Sequence, residues 1–221
     1  MLLLSGVTIR AYRDLSRPEA WSYWKDQFIS PSLSSTPFGN ASPDGSDRSP
    51  GAIKPIRGLA ISGEIGPAAA TWFRARLDEA KLVPGDMILL SSPGGHLDQA
   101  IIMGEVIRSR GLLTAVGVMD ASGRIKPAYC ASACVLIYAG GKIRYGVEGS
   151  RLGVHRFVSE RAMQDPVADT QRIAGMILGY MTKMGISASI VEAMSKTRDV
   201  RWLDTEQAVA MNLITDPLDR R

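Results

Sequence analysis

Strand-like and helix-like stretches alternate along most of this 221-residue chain, which predicts an α/β fold with a largely parallel sheet. Two further observations point the same way. The strand-like stretches are short apolar runs rich in Leu, Ile and Val, as strands buried on both faces require. Glycines close several elements, at Gly63, Gly94-Gly95, Gly111 and Gly140-Gly141, where the chain must turn into the next element.

The elements run in order. Residues 11–29 carry Tyr12, Leu15, Trp21, Tyr23, Trp24 and Phe28, roughly an amphipathic helix that packs on the domain or on a neighbouring subunit. In residues 30–51, 14 of 22 positions are Ser, Pro or Gly, a composition that cannot form a packed core and reads as a flexible linker. Residues 1–51 are thus expected to be an N-terminal extension and residues 52–221 the folded domain. Within that domain, residues 57–62 make a first strand. Residues 67–81 repeat Ala69, Phe73, Leu77 and Ala80 at helical spacing, with Pro67 in the first turn. Residues 86–91 are a buried strand, and Ser92-Pro93-Gly94-Gly95 leads from it into a helix over residues 97–110. A third strand covers residues 112–118 and a short apolar helix residues 132–140. Strands at residues 142–145 and 151–155 come next. Residues 165–184 form a long helix with Ile173, Ile177, Met181 and Met184 along one face. Met176, Leu178 and Tyr180 lie off that stripe, so a second apolar contact, to another subunit, is expected. A helix at residues 205–211 and a strand at residues 213–215 close the chain.

Composition narrows the classes of function. With 45% apolar residues the chain can bury one sizeable core. A net charge of +4 is mildly basic, but Lys and Arg are scattered without interleaved aromatics, which argues against nucleic acid as a partner. Two cysteines exclude a disulfide scaffold, and no Cys/His ligand set suits zinc, so neither metal nor cofactor is expected. Residues 1–9 open apolar but are too short to span a membrane, and they lack the basic start and long apolar centre of a signal peptide. A soluble protein is expected, cytoplasmic by default, with a periplasmic or membrane-associated location as alternatives.

Four places could carry chemistry. Ser132 falls near the first turn of a helix, where a serine is either a cap for a backbone N–H or a nucleophile facing unpaired N–H groups. The Gly94-Gly95 pair lets backbone N–H groups approach a ligand, although a lone Pro-Gly-Gly is also an ordinary tight turn. His155 ends a strand, as a structural histidine or a general base, whereas His96 comes directly after the glycines and faces solvent or substrate. Asp199 reads by composition as a surface carboxylate.

Their order along the chain changes the reading. A strand, Ser-Pro-Gly-Gly, a strand, Ala131-Ser132-Ala133 at a helix start, His155 and then Asp199 resemble the proteolytic subunit of the Clp protease, within the wider crotonase-like fold. The resemblance covers residues 56–216. It is similar further to a divergent, periplasmic-type Clp-like branch, in its Cys-x-Ser-x-Cys turn and Gly153-Val154-His155 strand end. The resemblance implies Ser132 as nucleophile, His155 as general base, Asp199 as the group orienting the imidazole, and the N–H groups of Gly95 and Ala133 as an oxyanion hole. It implies a polypeptide substrate and a homo-oligomer; no residues identify a docking site for an unfoldase ATPase. Two positions depart from the family. Cys134 stands where it has Gly, and Asp199 lies one residue further from the next apolar segment. Cys130 and Cys134 on one regular helix would have Cβ atoms about 6 Å apart, too far for an unstrained bridge. Two buried thiols are expected, although a bridge can form if Cys130 precedes the helix. The leading function is a serine endopeptidase; an inactive Clp-like scaffold subunit and a crotonase-like acyl-thioester enzyme are the alternatives.

Overall fold

The apolar runs become strands of one sheet. In the computed structural model, which describes residues 16–39, 57–156 and 165–217, the chain starts with α1 (Pro18–Trp24) and a π-helical turn over Lys25–Ile29. Then come β1 (Leu33–Phe38), β2 (Gly58–Gly63), α2 (Ala69–Glu79), β3 (Met87–Ser91), α3 (Leu97–Ser109) and β4 (Leu113–Val116). They lead to β5 (Val118–Met119), β6 (Ile125–Lys126), β7 (Tyr129–Ala131), α4 (Cys134–Ala139), β8 (Arg144–Gly146) and β9 (Arg151–Val154). The last elements are α5 (Pro166–Lys183), α6 (Ser189–Ser195), β10 (Arg201–Leu203), α7 (Thr205–Ala210) and β11 (Asp216–Pro217).

The main sheet has the order β1-β2-β3-β4-β8-β11, parallel throughout except for the antiparallel edge strand β1. Side chains of the central strands alternate between two apolar faces. Leu59, Ile61, Ile88, Leu90 and Val116 join the large core beneath the helices, and Ala60, Met87, Leu89 and Ala115 fill a smaller one with Met119 and Ile125 of the β5–β6 hairpin. Both faces are covered, which is why these strands read as continuous apolar runs. A second, three-stranded sheet, β10-β9-β7, carries the candidate site. The fold is α/β with a mostly parallel sheet, as the alternation predicts.

Several readings change. β1 lies inside the stretch read as linker: Leu33 pairs with Gly63 and Phe38 with Gly58, and Leu33 is buried. A Ser/Pro-rich strand is tolerated there because an edge strand needs a partner on one side only. The preceding turn is tied down as well. Asp26, buried, accepts from Ser32 N at 2.8 Å and from Ala68 N at 2.9 Å, at the start of α2. Residues 40–56 lie outside the described part. The aromatics of α1 and its π-turn mostly face outward, Trp21, Trp24 and Phe28 all being exposed. The third strand ends at Val116 rather than Val118, and the chain forms the β5–β6 hairpin before β7. The closing strand is Asp216–Pro217, just past the residues expected. Tyr180 is not a second apolar face of α5: it is buried and its hydroxyl donates to Leu136 O of α4 at 2.7 Å. Arg144 is buried too, donating to the carbonyls of Gly141, Asn212 and Leu213. Burial, and then the neighbouring Arg108 cation, lower its pKa to about 10.

Candidate active site

Ser132 is one residue past β7, and α4 begins at Cys134, so the serine occupies the corner of a strand–turn–helix unit. Its φ is +56°, a left-handed value that non-glycine residues adopt only where surrounding structure holds them there. Two hydrogen bonds and the burial of the next helix fix it. Ser132 N donates to Gly153 O of β9 at 2.9 Å, and Val135 N donates back to Ser132 O at 3.1 Å. All six residues of α4 are buried, so the helix cannot slide away from the corner. The cap reading of Ser132 does not hold, because Ala133 is the N-cap and no side chain caps this helix.

His155 comes to the same place through the sheet. β7 and β9 run parallel with Cys130 opposite Leu152 and Ala131 opposite Gly153, so Ser132 and His155 leave the same ends of adjacent strands. His155 is half-buried, and its Nδ1 lies 2.7 Å from Arg156 O. A carbonyl oxygen only accepts, so in the neutral ring Nδ1 carries the proton and Nε2 is the basic nitrogen.

The glycine turn supplies the third part. Ser92 bridges to Cys130, with Ser92 N donating to Tyr129 O and Ala131 N donating to Ser92 O, both at 3.0 Å. This locks the end of β3 beside β7. Gly94 then packs on the serine itself: a Cβ added there would lie 2.7 Å from Ser132 Cβ. Ile65 makes both bonds of its bridge to Gly95, one from Ile65 N to Gly94 O and one from His96 N to Ile65 O. The Gly95 N–H therefore points to the opposite side. Among the described residues, the N–H groups of Gly95 and Ala133 donate no hydrogen bond. A Cβ at Gly95, whose φ is +136°, would meet Ile65 O at 2.2 Å, so the backbone can come this close only as glycine.

Asp199 is the residue the structure does not bring in. It is exposed, no hydrogen bond or ion pair joins its carboxylate to His155, and its carbonyl accepts from Thr197 Oγ1. The segment before β10 instead bonds the residue after the histidine through backbone, with Arg156 N donating to Thr197 O at 3.0 Å. His96 is exposed, 4.0 Å from Asp98, at the start of α3. The expectation of free thiols is also overturned: Cys130 and Cys134 form a disulfide with Cα atoms 5.3 Å apart. Cys130 is on β7 rather than in the helix, and the turn at Ser132 folds the first helical residue back toward it. An apolar cavity of about 110 Å³ next to Arg156 is lined by Ile173, Ile177, Val191 and Met194 of α5 and α6.

Sequence reasoning missed the structural partners of these residues. Gly153 O and Arg156 O act through backbone, which side-chain identity does not advertise. Strand β7 is three residues long, too short for periodicity to register.

No family model matches the chain, and no curated protein matches it by sequence. Solved structures do match in fold. ClpP1 from Listeria monocytogenes superposes with a TM-score of 0.55 at 17% identity, over 72% of this chain and 88% of that one. A point mutant of the same ClpP1 gives the same TM-score at 18% identity. A mutant of the 1510-N membrane-bound stomatin-specific protease gives 0.54 at 19% identity, over 72% of this chain and 76% of that one. The chain therefore has the fold of ClpP-like proteases.

Proposed function

We propose that this protein is a serine endopeptidase acting on extended polypeptide. Ser132 Oγ attacks the scissile carbonyl carbon while His155 Nε2 takes its proton, because a serine hydroxyl is a poor nucleophile until a base accepts that proton. The oxyanion of the tetrahedral intermediate is met by the N–H groups of Gly95 and Ala133. The intermediate collapses with His155 returning the proton to the leaving amine, and water then hydrolyses the acyl-serine by the same route. The orienting contact on Nδ1 is the Arg156 carbonyl, and Asp199 is at most an outer contributor. The apolar cavity beside Arg156 accepts a substrate side chain of modest size.

The observation that carries this reading is the backbone of Ser132, held at φ +56° on a strand–helix corner beside the end of β9. A buried corner that holds a serine in a costly conformation is the arrangement a nucleophile needs. Labelling with a fluorophosphonate and mapping the modified residue tests it. Label on Ser132, absent from Ser132→Ala together with peptide hydrolysis, is the expected result; a labelled Ser132→Ala, or hydrolysis that survives the substitution, removes the assignment. The lack of contact between Asp199 and the histidine favours a second reading, an idle scaffold subunit, for which no label would appear at all.

We also propose a homo-oligomer joined through α5, whose Val167, Met176 and Leu178 are exposed apolar residues. Leu178→Glu is expected to reduce the mass seen by light scattering; an unchanged mass, or a monomeric wild type, would exclude this helix.

A further inference from the structure

The proposed chemistry makes no use of the disulfide. Cys130 and Cys134 are both fully buried, and the covalent loop they close contains Ala131, Ser132 and Ala133. Two proposed reacting groups, the Ser132 hydroxyl and the Ala133 N–H, are therefore inside the loop. The others, Gly95 and His155, belong to different elements outside it. We propose that this cystine positions the nucleophile and one half of the oxyanion hole, and that the site is competent with the bridge closed and loses competence when a dithiol opens it. The proposal rests on Ser132 being the nucleophile.

The physical reason is the connection that the bridge makes. β7 is held by its ladder to β9, and α4 by packing on all sides. Between them, among the described residues, the turn is held by the Ser132 N–Gly153 O, Val135 N–Ser132 O and Leu136 N–Ala133 O hydrogen bonds and by the packing of Gly94. The bridge ties the middle residue of β7 directly to the first residue of α4, so strand end and helix start cannot drift apart. Opening it proceeds by thiol–disulfide exchange. Both sulfurs are buried, so exchange proceeds when the turn opens locally: one thiolate of the dithiol attacks a sulfur, the Cys130–Cys134 bond breaks, and the mixed disulfide is resolved by the second thiol. Two electrons and two protons pass to the cysteines, and the dithiol ends as its own disulfide. The two thiols then need van der Waals separation where a bond existed, in a core packed too closely to absorb it. The turn takes up the displacement, which shifts Ser132 and Ala133 relative to His155 and Gly95. Substrate-binding surfaces on other elements stay as they were. Competence with the bridge closed also matches an oxidising compartment, where such bonds persist.

The test compares oxidised wild type, wild type reduced with dithiothreitol and checked for two alkylated cysteines by mass, and the Cys130→Ala/Cys134→Ala double variant, in which the bridge never forms. On opening, the rate of fluorophosphonate labelling and kcat are expected to fall on the order of tenfold or more, as small misplacement of a nucleophile does, with KM nearly constant. Reoxidation restores the wild type, and the double variant is slow and indifferent to reductant with an unchanged circular dichroism spectrum. Reduced wild type or double variant reacting at the oxidised rate overturns the proposal. So does a loss that appears only with unfolding. Hydrogen exchange reads the brace without relying on activity: faster exchange over residues 131–140, with β2 and β3 unchanged, is expected on opening. Absence of label on oxidised wild type refutes the peptidase reading, while unchanged exchange refutes the brace, so the two failures are distinct.

Discussion

The serine corner and the histidine corner lie at the same ends of two paired strands, yet they are held very differently. Ser132 is fixed by a parallel ladder, a fully buried helix, a disulfide and the backbone of Gly94. His155 comes after the last residue of β9 with its ring against the carbonyl of its own neighbour, and the segment carrying Asp199 is largely exposed. The difference lies in what surrounds each turn. A strained backbone persists only where many contacts over-determine it, so the turn carrying the half-buried serine has to sit against the core. An imidazole needs one oriented hydrogen bond and room to exchange a proton, so it can sit at the edge. Local opening is expected to be easier at the histidine than at the serine.

That contrast can be broken most sharply at Gly94. Its φ of +110° and the 2.7 Å approach of an added Cβ to Ser132 Cβ leave no space on the serine side. Gly94→Ala is expected to cut kcat/KM on the order of a hundredfold by moving Ser132, the proposed nucleophile, although no proposed reacting group is changed. Wild-type activity in this variant, measured on a fluorogenic peptide, would mean that the corner is not rigid. A smaller effect is expected under the helix. Tyr180→Phe removes the hydroxyl that donates to Leu136 O in α4, leaving a buried carbonyl short of a partner. The loss of stability should be about 1–2 kcal/mol in urea unfolding, with activity per folded molecule retained. If activity falls while stability holds, α4 is less firmly seated than its burial indicates. The smallest effect is expected on the histidine side. Asp199→Ala should leave kcat/KM nearly unchanged, since its carboxylate does not touch the ring in this structure. A carboxylate that orients a catalytic histidine is worth about ten-thousandfold. A loss of that size would make Asp199 a working member of the site and show that its segment closes on His155.

Sequence alone determined the fold class, because buried parallel strands must be apolar on both faces and crossover helices must repeat every turn or so. β2, β3 and α3 fall within a residue or two of where the pattern puts them. Ser132, Gly95, Ala133 and His155 are likewise singled out by residue type and order, and strand register and the Ser92–Cys130 bridge set the segments that carry them side by side. Tertiary structure alone decided the features set by a partner distant in sequence. β1 is a strand because β2 offers an edge, even though its own composition reads as linker. Tyr180 is buried because Leu136 and Gly104 lie under it, which helix periodicity within α5 does not reveal. The disulfide exists because Cys130 belongs to β7 and the turn at Ser132 folds Cys134 back, whereas the spacing read on one regular helix points to two thiols. The separation of Asp199 from His155 has the same origin. Hydrophobic period is a local property of the chain, but the meeting of two side chains depends on strand register, which is fixed by the core as a whole.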